Sequence, residues 1–290
     1  MKNSNLDRIL ERVGDLPAMP EVVSQVLSRI DDPNSNMDTV SHILERDPAL
    51  AARILRVSNS PYFGMRQNVG TLKLAMVILG VREIRNIVLG VSLFDTLRDA
   101  DTDRLLKDRF WQDAFRVASL SKRLGQALKL GCQGEDFISG LLHGMGKMVL
   151  CRHLQKDYAP IISEAADDDA LVAREREVLG FSYADVSAAL GERWNLPQAI
   201  CDAIWLHYPN PEMRLADAKD PRMAATVRIA YYAKRGILPA EPVRVDEALA
   251  QTEAWAALGT APGELAESGR EAALLSLVEE IADAPPEGFA

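Results

Sequence analysis

Six basic side chains fall between Leu50 and Asn86: Arg53, Arg56, Arg66, Lys73, Arg82 and Arg85. Only Glu83 opposes them. Arg53 and Arg56 are three residues apart, as are Arg82 and Arg85, so each pair shares one face of a helix. The chemistry on offer is recognition of negative charge. The segment is either a docking patch for an acidic protein or a nucleotide, or two ordinary solvated faces whose arginine stems cover apolar surface. Nucleic acid is not favoured, because no helix combines basic residues with stacking aromatics. Catalytic constellations are harder to find. No Ser/His/Asp or Cys/His arrangement is evident. Gly144 and Gly146 lie within a helical pattern and lack the spacing of a phosphate-cradling loop.

The elements that must position these residues read as helices almost throughout. Pro20 opens EVVSQVLSRI, whose apolar residues at 22, 23, 26, 27 and 30 make one buried face. Asn36 can cap MDTVSHILER, and Asp47-Pro48 restarts the chain as an N-cap followed by a first-turn proline. Thr71 can cap LKLAMVIL, which Gly80 ends. Helices are predicted through VREIRNIVLGVSLFDTL, FWQDAFRVASLSKRLGQAL and EDFISGLLHGMGKMVLCRHL, the last as one helix. Others are expected near 168–179, 183–193, 197–207 and 222–235, with Ala/Leu-rich segments near 245–257 and 263–282. No strand alternates convincingly. The polar stretch RDADTD at 98–103 is the best internal boundary. The division expected is 1–98, 99–210 and 211–290: an N-terminal lobe, a second lobe and a C-terminal helical extension.

Charge supports that boundary. The 290 residues carry a net charge of −9, yet the first 98 are close to neutral and the remainder holds the acidic excess. An acidic chain resists non-specific attraction to nucleic acid or anionic lipid. At 48% hydrophobic and 26% charged residues it can bury a sizeable core. Cys132, Cys151 and Cys201 are odd in number and far apart, which argues for reduced thiols rather than a disulfide framework. The first residues lack the apolar core of a signal peptide, and the longest apolar runs are too short to span a bilayer. A cytoplasmic chain without a membrane partner is expected.

Several blocks together resemble a known family. LPAMPEVV, ILERDPALAARILRVSNSPYFG and AMVILGVREIRNIVLG are similar to the opening of the HDOD domain, a divergent branch of the HD phosphohydrolase superfamily. FWQDAFRVASLSKRL, FISGLLHGMGKMVL, LGFSYADVSAALGERWNLPQAI and AIWLHYP follow in the family's order. The resemblance covers roughly residues 14–210. It implies an all-α, two-lobed domain used in bacterial signal transduction, with the C-terminal helices as an addition.

The resemblance also implies where a metal site would lie. HD enzymes hold divalent ions through histidines, an adjacent His-Asp pair and a later Asp, and the ion activates water for attack on phosphorus. Here the first histidine position falls on Asp113 and the doublet on His143-Gly144. A further histidine position falls on Tyr183, His207 is retained, and the closing aspartate falls near Tyr231 and Tyr232. Only Asp113, His143 and His207 remain as weak metal candidates, so no metal or other cofactor is expected. The plain alternative for His143 and His207 is a hydrogen-bonded helical core. Lys147 matches a lysine that meets phosphate in the enzymes, or it serves the helix end and solvent. Tyr62 and Phe63, in the signature loop, either shape the groove between the lobes or plug their interface. The expected function is a non-catalytic signalling module that binds a protein partner, or a small anionic ligand such as a nucleotide or cyclic dinucleotide. The alternative is a metal-dependent phosphohydrolase acting on such a nucleotide.

Overall fold

The structure is a computed structural model. It describes residues 9, 11–14, 16–30, 32, 36–59, 63, 68–98, 104–132, 134–233 and 253–259, with backbone only over 93–98 and 104–109. Every regular element among them is helical, as the sequence predicts. Two compact units result, one on residues 18–99 and the other on residues 1–17 with 100–283. Arg66 and Tyr62 lie outside the described residues.

In the 18–99 unit, α1 (Glu21–Ile30), α2 (Met37–Glu45), α3 (Pro48–Ser58), α4 (Leu72–Leu79) and α5 (Val81–Arg98) follow one another closely. The capping residues act as predicted. Asn36 accepts from the Thr39 amide, Asp47 from Leu50 and Thr71 from Leu74, each satisfying an orphan first-turn N–H. Gly80 takes φ 89°, a conformation that a Cβ disfavours, and so turns α4 sharply into α5. The Asn59 side chain closes the loop between α3 and α4, bonding both the N–H and the C=O of Val69. Val26, Leu44, Ile54, Val57, Met76 and Ile84 form the sealed interior.

The second unit contains α6 (Arg104–Ala127), α7 (Glu135–Leu142), α8 (Met145–Glu164), α9 (Asp168–Leu179), α10 (Tyr183–Arg193), α11 (Gln198–Leu206) and α12 (Pro221–Ala233). Helix α6 packs extensively on α7. Helix α12 packs on α6, α7 and α11, and α10 packs on α8 and α11.

This organisation differs from the sequence reading in three places. The chain breaks at His143-Gly144, between α7 and α8, where one continuous helix is predicted. Residues 1–17 belong with the second unit and not with the first lobe: Ile9, Val13 and Leu16 are buried, and the Trp194 indole donates to the Pro17 carbonyl at 2.9 Å. Among the described residues beyond 211, α12 and the segment 253–259 are no separate extension either; the predicted helix at 263–282 lies outside the described residues. Every residue of α12 from Met223 to Ala233 is buried, and Arg228 ties the helical segment 253–258 to the same core.

Candidate functional site

Four residues that the family pattern marks converge in the second unit, at the ends of α7, α8, α10 and α11, and Tyr231 of α12 joins them. His143 follows α7 and His207 follows α11. In each, Nδ1 lies 2.6 Å from the carbonyl three residues earlier, Gly140 or Ile204. A carbonyl only accepts, so both Nδ1 atoms carry hydrogen. The imidazole rings meet edge to face, their centroids 4.8 Å apart. Helix ends suit this role because the last-turn carbonyls have no intrahelical donors.

Two phenols pack against the histidines. The Tyr183 hydroxyl lies 3.0 Å from His207 Nε2 and 3.2 Å from the Tyr231 hydroxyl. Tyr231 donates to Asp168 Oδ2 at 2.7 Å, and its ring packs edge-on against both histidines. Lys147 donates to the other Asp168 oxygen, also at 2.7 Å, with its ammonium 4.3 Å above the Tyr183 ring centre. Tyr183 and Tyr231 are fully buried, and Lys147 nearly so. Burial pushes both phenols well above their ordinary value, so they stay protonated.

A second layer fixes this cluster. Glu175 accepts from the Tyr183 amide at 2.7 Å and from the Tyr158 hydroxyl. Burial raises its carboxyl to about 7. The Gly146 amide donates to Ser187 Oγ at 2.7 Å, which in turn donates to the Tyr183 carbonyl. Tyr208 reaches Asp169 at 2.7 Å, so the start of α9 is held by two acids in series.

A divalent ion does not fit this donor set. Gly144 offers no side chain, the phenols hold their protons, and Asp168 is already bound to Lys147 and Tyr231. Asp113 is half-buried on α6, and among the described residues no three His, Cys, Asp or Glu side chains gather so as to hold a metal.

Four of the six expected site positions, His143, Lys147, Tyr183 and His207, do meet. Gly144 forms the α7–α8 junction, and Lys147 lies beyond that break. Asp168, Tyr158 and Glu175 escape the sequence reading. Asp168 and Lys147 are 21 residues apart, and nothing local links them. The run Asp167-Asp168-Asp169 is visible, but only Asp167 has a local role, as the cap of α9.

The basic candidates lie in the other unit. Arg56 and Arg82 are exposed, Arg53 and Arg85 half-buried, and Lys73 pairs with Asp38 at 2.6 Å.

The fold is that of the all-helical HD-like class. The HDOD domain profile matches residues 16–209, and the chain belongs to the HDOD domain family. A protein of Treponema pallidum, itself uncharacterized, is 26% identical over 211 residues; the match covers 70% of this chain but only 39% of that protein. Among solved structures, an HDOD domain protein of unknown function from Geobacter sulfurreducens superposes with a TM-score of 0.77 at 20% identity, covering 97% of both chains. A protein of Shewanella amazonensis, named a candidate phosphohydrolase, gives 0.68 at 23% identity over 95% of this chain and 98% of that one. One from Marinobacter aquaeolei, named a candidate signal transduction protein, gives 0.67 at 19%, over 97% and 65%. At these identities the likeness is one of fold.

Proposed function

We propose that the chain is a non-catalytic HDOD module that works in signal transduction by binding a protein partner or a small anionic ligand. One observation carries this reading: the chain Lys147–Asp168–Tyr231–Tyr183–His207 occupies the interior where metal-dependent chemistry would need open coordination sites. A hydrolase of this class needs an ion to lower the pKa of water and to bear charge at phosphorus. Protonated phenols and an ion-paired carboxylate supply neither. The names of the Marinobacter and Shewanella relatives point to the two readings, and the donor set favours the first.

The reading places the chain in the cytoplasm. Its three cysteines form no disulfide, and no helix among the described residues is long and apolar enough to cross a membrane. The test is hydrolysis of bis-p-nitrophenyl phosphate and of cyclic dinucleotides after incubation with Mn, Fe, Ni or Zn ions. No turnover above a His143→Ala, His207→Ala control is expected. Metal-dependent turnover lost in that control would overturn the reading.

A further inference from the structure

Four of the five large apolar side chains exposed among the described residues fall on one part of the 18–99 unit. Leu74, Val77 and Ile78 lie at i, i+3 and i+4 on α4, exposed by 42%, 62% and 51%, and so form one stripe. Met37 sits beside that stripe, because the next residue, Asp38, pairs with Lys73 immediately before Leu74. Such a stripe costs solvation unless something covers it.

Its surroundings select for charge. Met37 and Val81 line a groove of about 580 Å³ whose charged walls are Arg29 and Arg82. Arg29 also walls a second groove of about 630 Å³ between α1 and α2, where Arg46 is the other charged residue. Among the described residues, every charged side chain lining either groove is therefore positive, in a chain of net −9. Of the nearby acids, Asp38 pairs with Lys73 and Glu45 with Ser41 and His42, while Asp32 lies 3.5 Å from Arg29 in an exposed pair for which a partner carboxylate would compete. A second copy seated by two-fold symmetry would bring the arginines toward their own images, which is repulsive. A basic helix would be repelled outright.

We propose that this face of α1, α2 and α4 docks an amphipathic helix of a protein partner, apolar on one side and acidic along its flanks. The apolar side covers Met37, Leu74, Val77 and Ile78, and the flanking carboxylates meet Arg29, Arg46 and Arg82. The inference rests on the binding-module reading above and specifies its partner.

The probe is a fluorescein-labelled synthetic helix of about 18 residues, roughly five turns, with leucine at i, i+3, i+4 and i+7 spacing and glutamate on the flanks. Its twin carries lysine in place of glutamate. By anisotropy with the full chain, the glutamate probe should bind saturably and more weakly as salt rises, and the lysine twin should not. Combined Arg29→Glu, Arg46→Glu and Arg82→Glu should weaken binding at least about tenfold, and Val77→Asp should weaken it separately. Both variants should keep the wild-type circular dichroism, since all four side chains are on the surface. No binding, equal binding of the twins, or an affinity unmoved by charge reversal overturns the proposal. So does a concentration-dependent dimer that Val77→Asp abolishes, because the occupant is then a second copy. None of these variants touches the buried network. Failure here with hydrolysis still absent sinks the docking face alone, whereas metal-dependent hydrolysis sinks the module reading whatever the peptide does.

Discussion

Replacing Gly146 with alanine separates a packing requirement from mere helix chemistry. A Cβ on Gly146 would stand 2.0 Å from the Tyr183 carbonyl oxygen and 2.9 Å from Ser187 Oγ. The first obstacle is backbone, which no rotamer change can clear. Helices α8 and α10 would have to move apart by more than about 1 Å, given ordinary contact distances near 3.5 Å. Overpacking of this kind costs about 1–3 kcal/mol, and the backbone obstacle puts it at the upper end. Loss of the Gly146–Ser187 hydrogen bond adds about 1 kcal/mol. A total near 3–4 kcal/mol corresponds to a Tm lowered by roughly 6–16 °C for a unit of this size. Gly144, two residues earlier, is the control, since a Cβ there meets nothing within 4 Å and its φ is −96°. Alanine at 144 should leave stability within about 1 kcal/mol. Urea unfolding of the two variants, followed by circular dichroism, measures the contrast. If Gly146→Ala is as stable as the wild type, or Gly144→Ala is the worse of the two, the α8–α10 packing is not as described.

The remaining expectations follow from the buried charges. Lys147→Met should destabilise by about 1–3 kcal/mol, because Asp168 loses its cation but keeps the Tyr231 hydroxyl; a Lys147→Met, Asp168→Asn double-mutant cycle with no coupling would refute the pairing. Glu175 has its folded pKa raised from 4.5 to about 7, so the native state keeps a proton that the unfolded chain releases. Its contribution is present in full below about pH 4.5 and is lost as pH rises to about 7, on the order of 3 kcal/mol. Wild-type stability should therefore fall relative to Glu175→Gln across that window; parallel pH profiles would contradict it. Glu253→Ala leaves the buried Arg228 guanidinium with the Leu206 carbonyl as its remaining bond of the two described, costing about 1–3 kcal/mol. It should also loosen the 253–258 segment, seen as greater acrylamide quenching of tryptophan as Trp255 becomes accessible.

What the sequence makes legible is local. Asn36, Asp47 and Thr71 cap the helices they precede because a cap is written within three residues of its target. The apolar period of EVVSQVLSRI places Val23 and Val26 inside for the same reason. The family pattern picks out His143, Tyr183 and His207, which do meet. The break at His143-Gly144 is not legible, because a glycine between apolar runs reads equally as helix interior or junction; the close approach of Gly146 to Tyr183 is not legible either, because it belongs to another helix. Asp168 is missed for a similar reason: its partners, Lys147 and Tyr231, lie 21 and 63 residues away. The basic segment is legible as charge but not as surface. Lys73 is spent on Asp38, while Arg29 and Arg46, outside the segment, line the grooves beside Arg82.

A non-catalytic module requires a buried interior that accepts no ion. Elemental analysis of the full chain, incubated with Mn, Fe, Ni and Zn ions and then desalted, measures this directly. With protonated Tyr183 and Tyr231 and an Asp168 held by Lys147, bound metal well below one ion per chain is predicted, unchanged in His143→Ala. One ion or more per chain, lost in His143→Ala and in His207→Ala, would contradict the account and restore the centre as a site of metal chemistry.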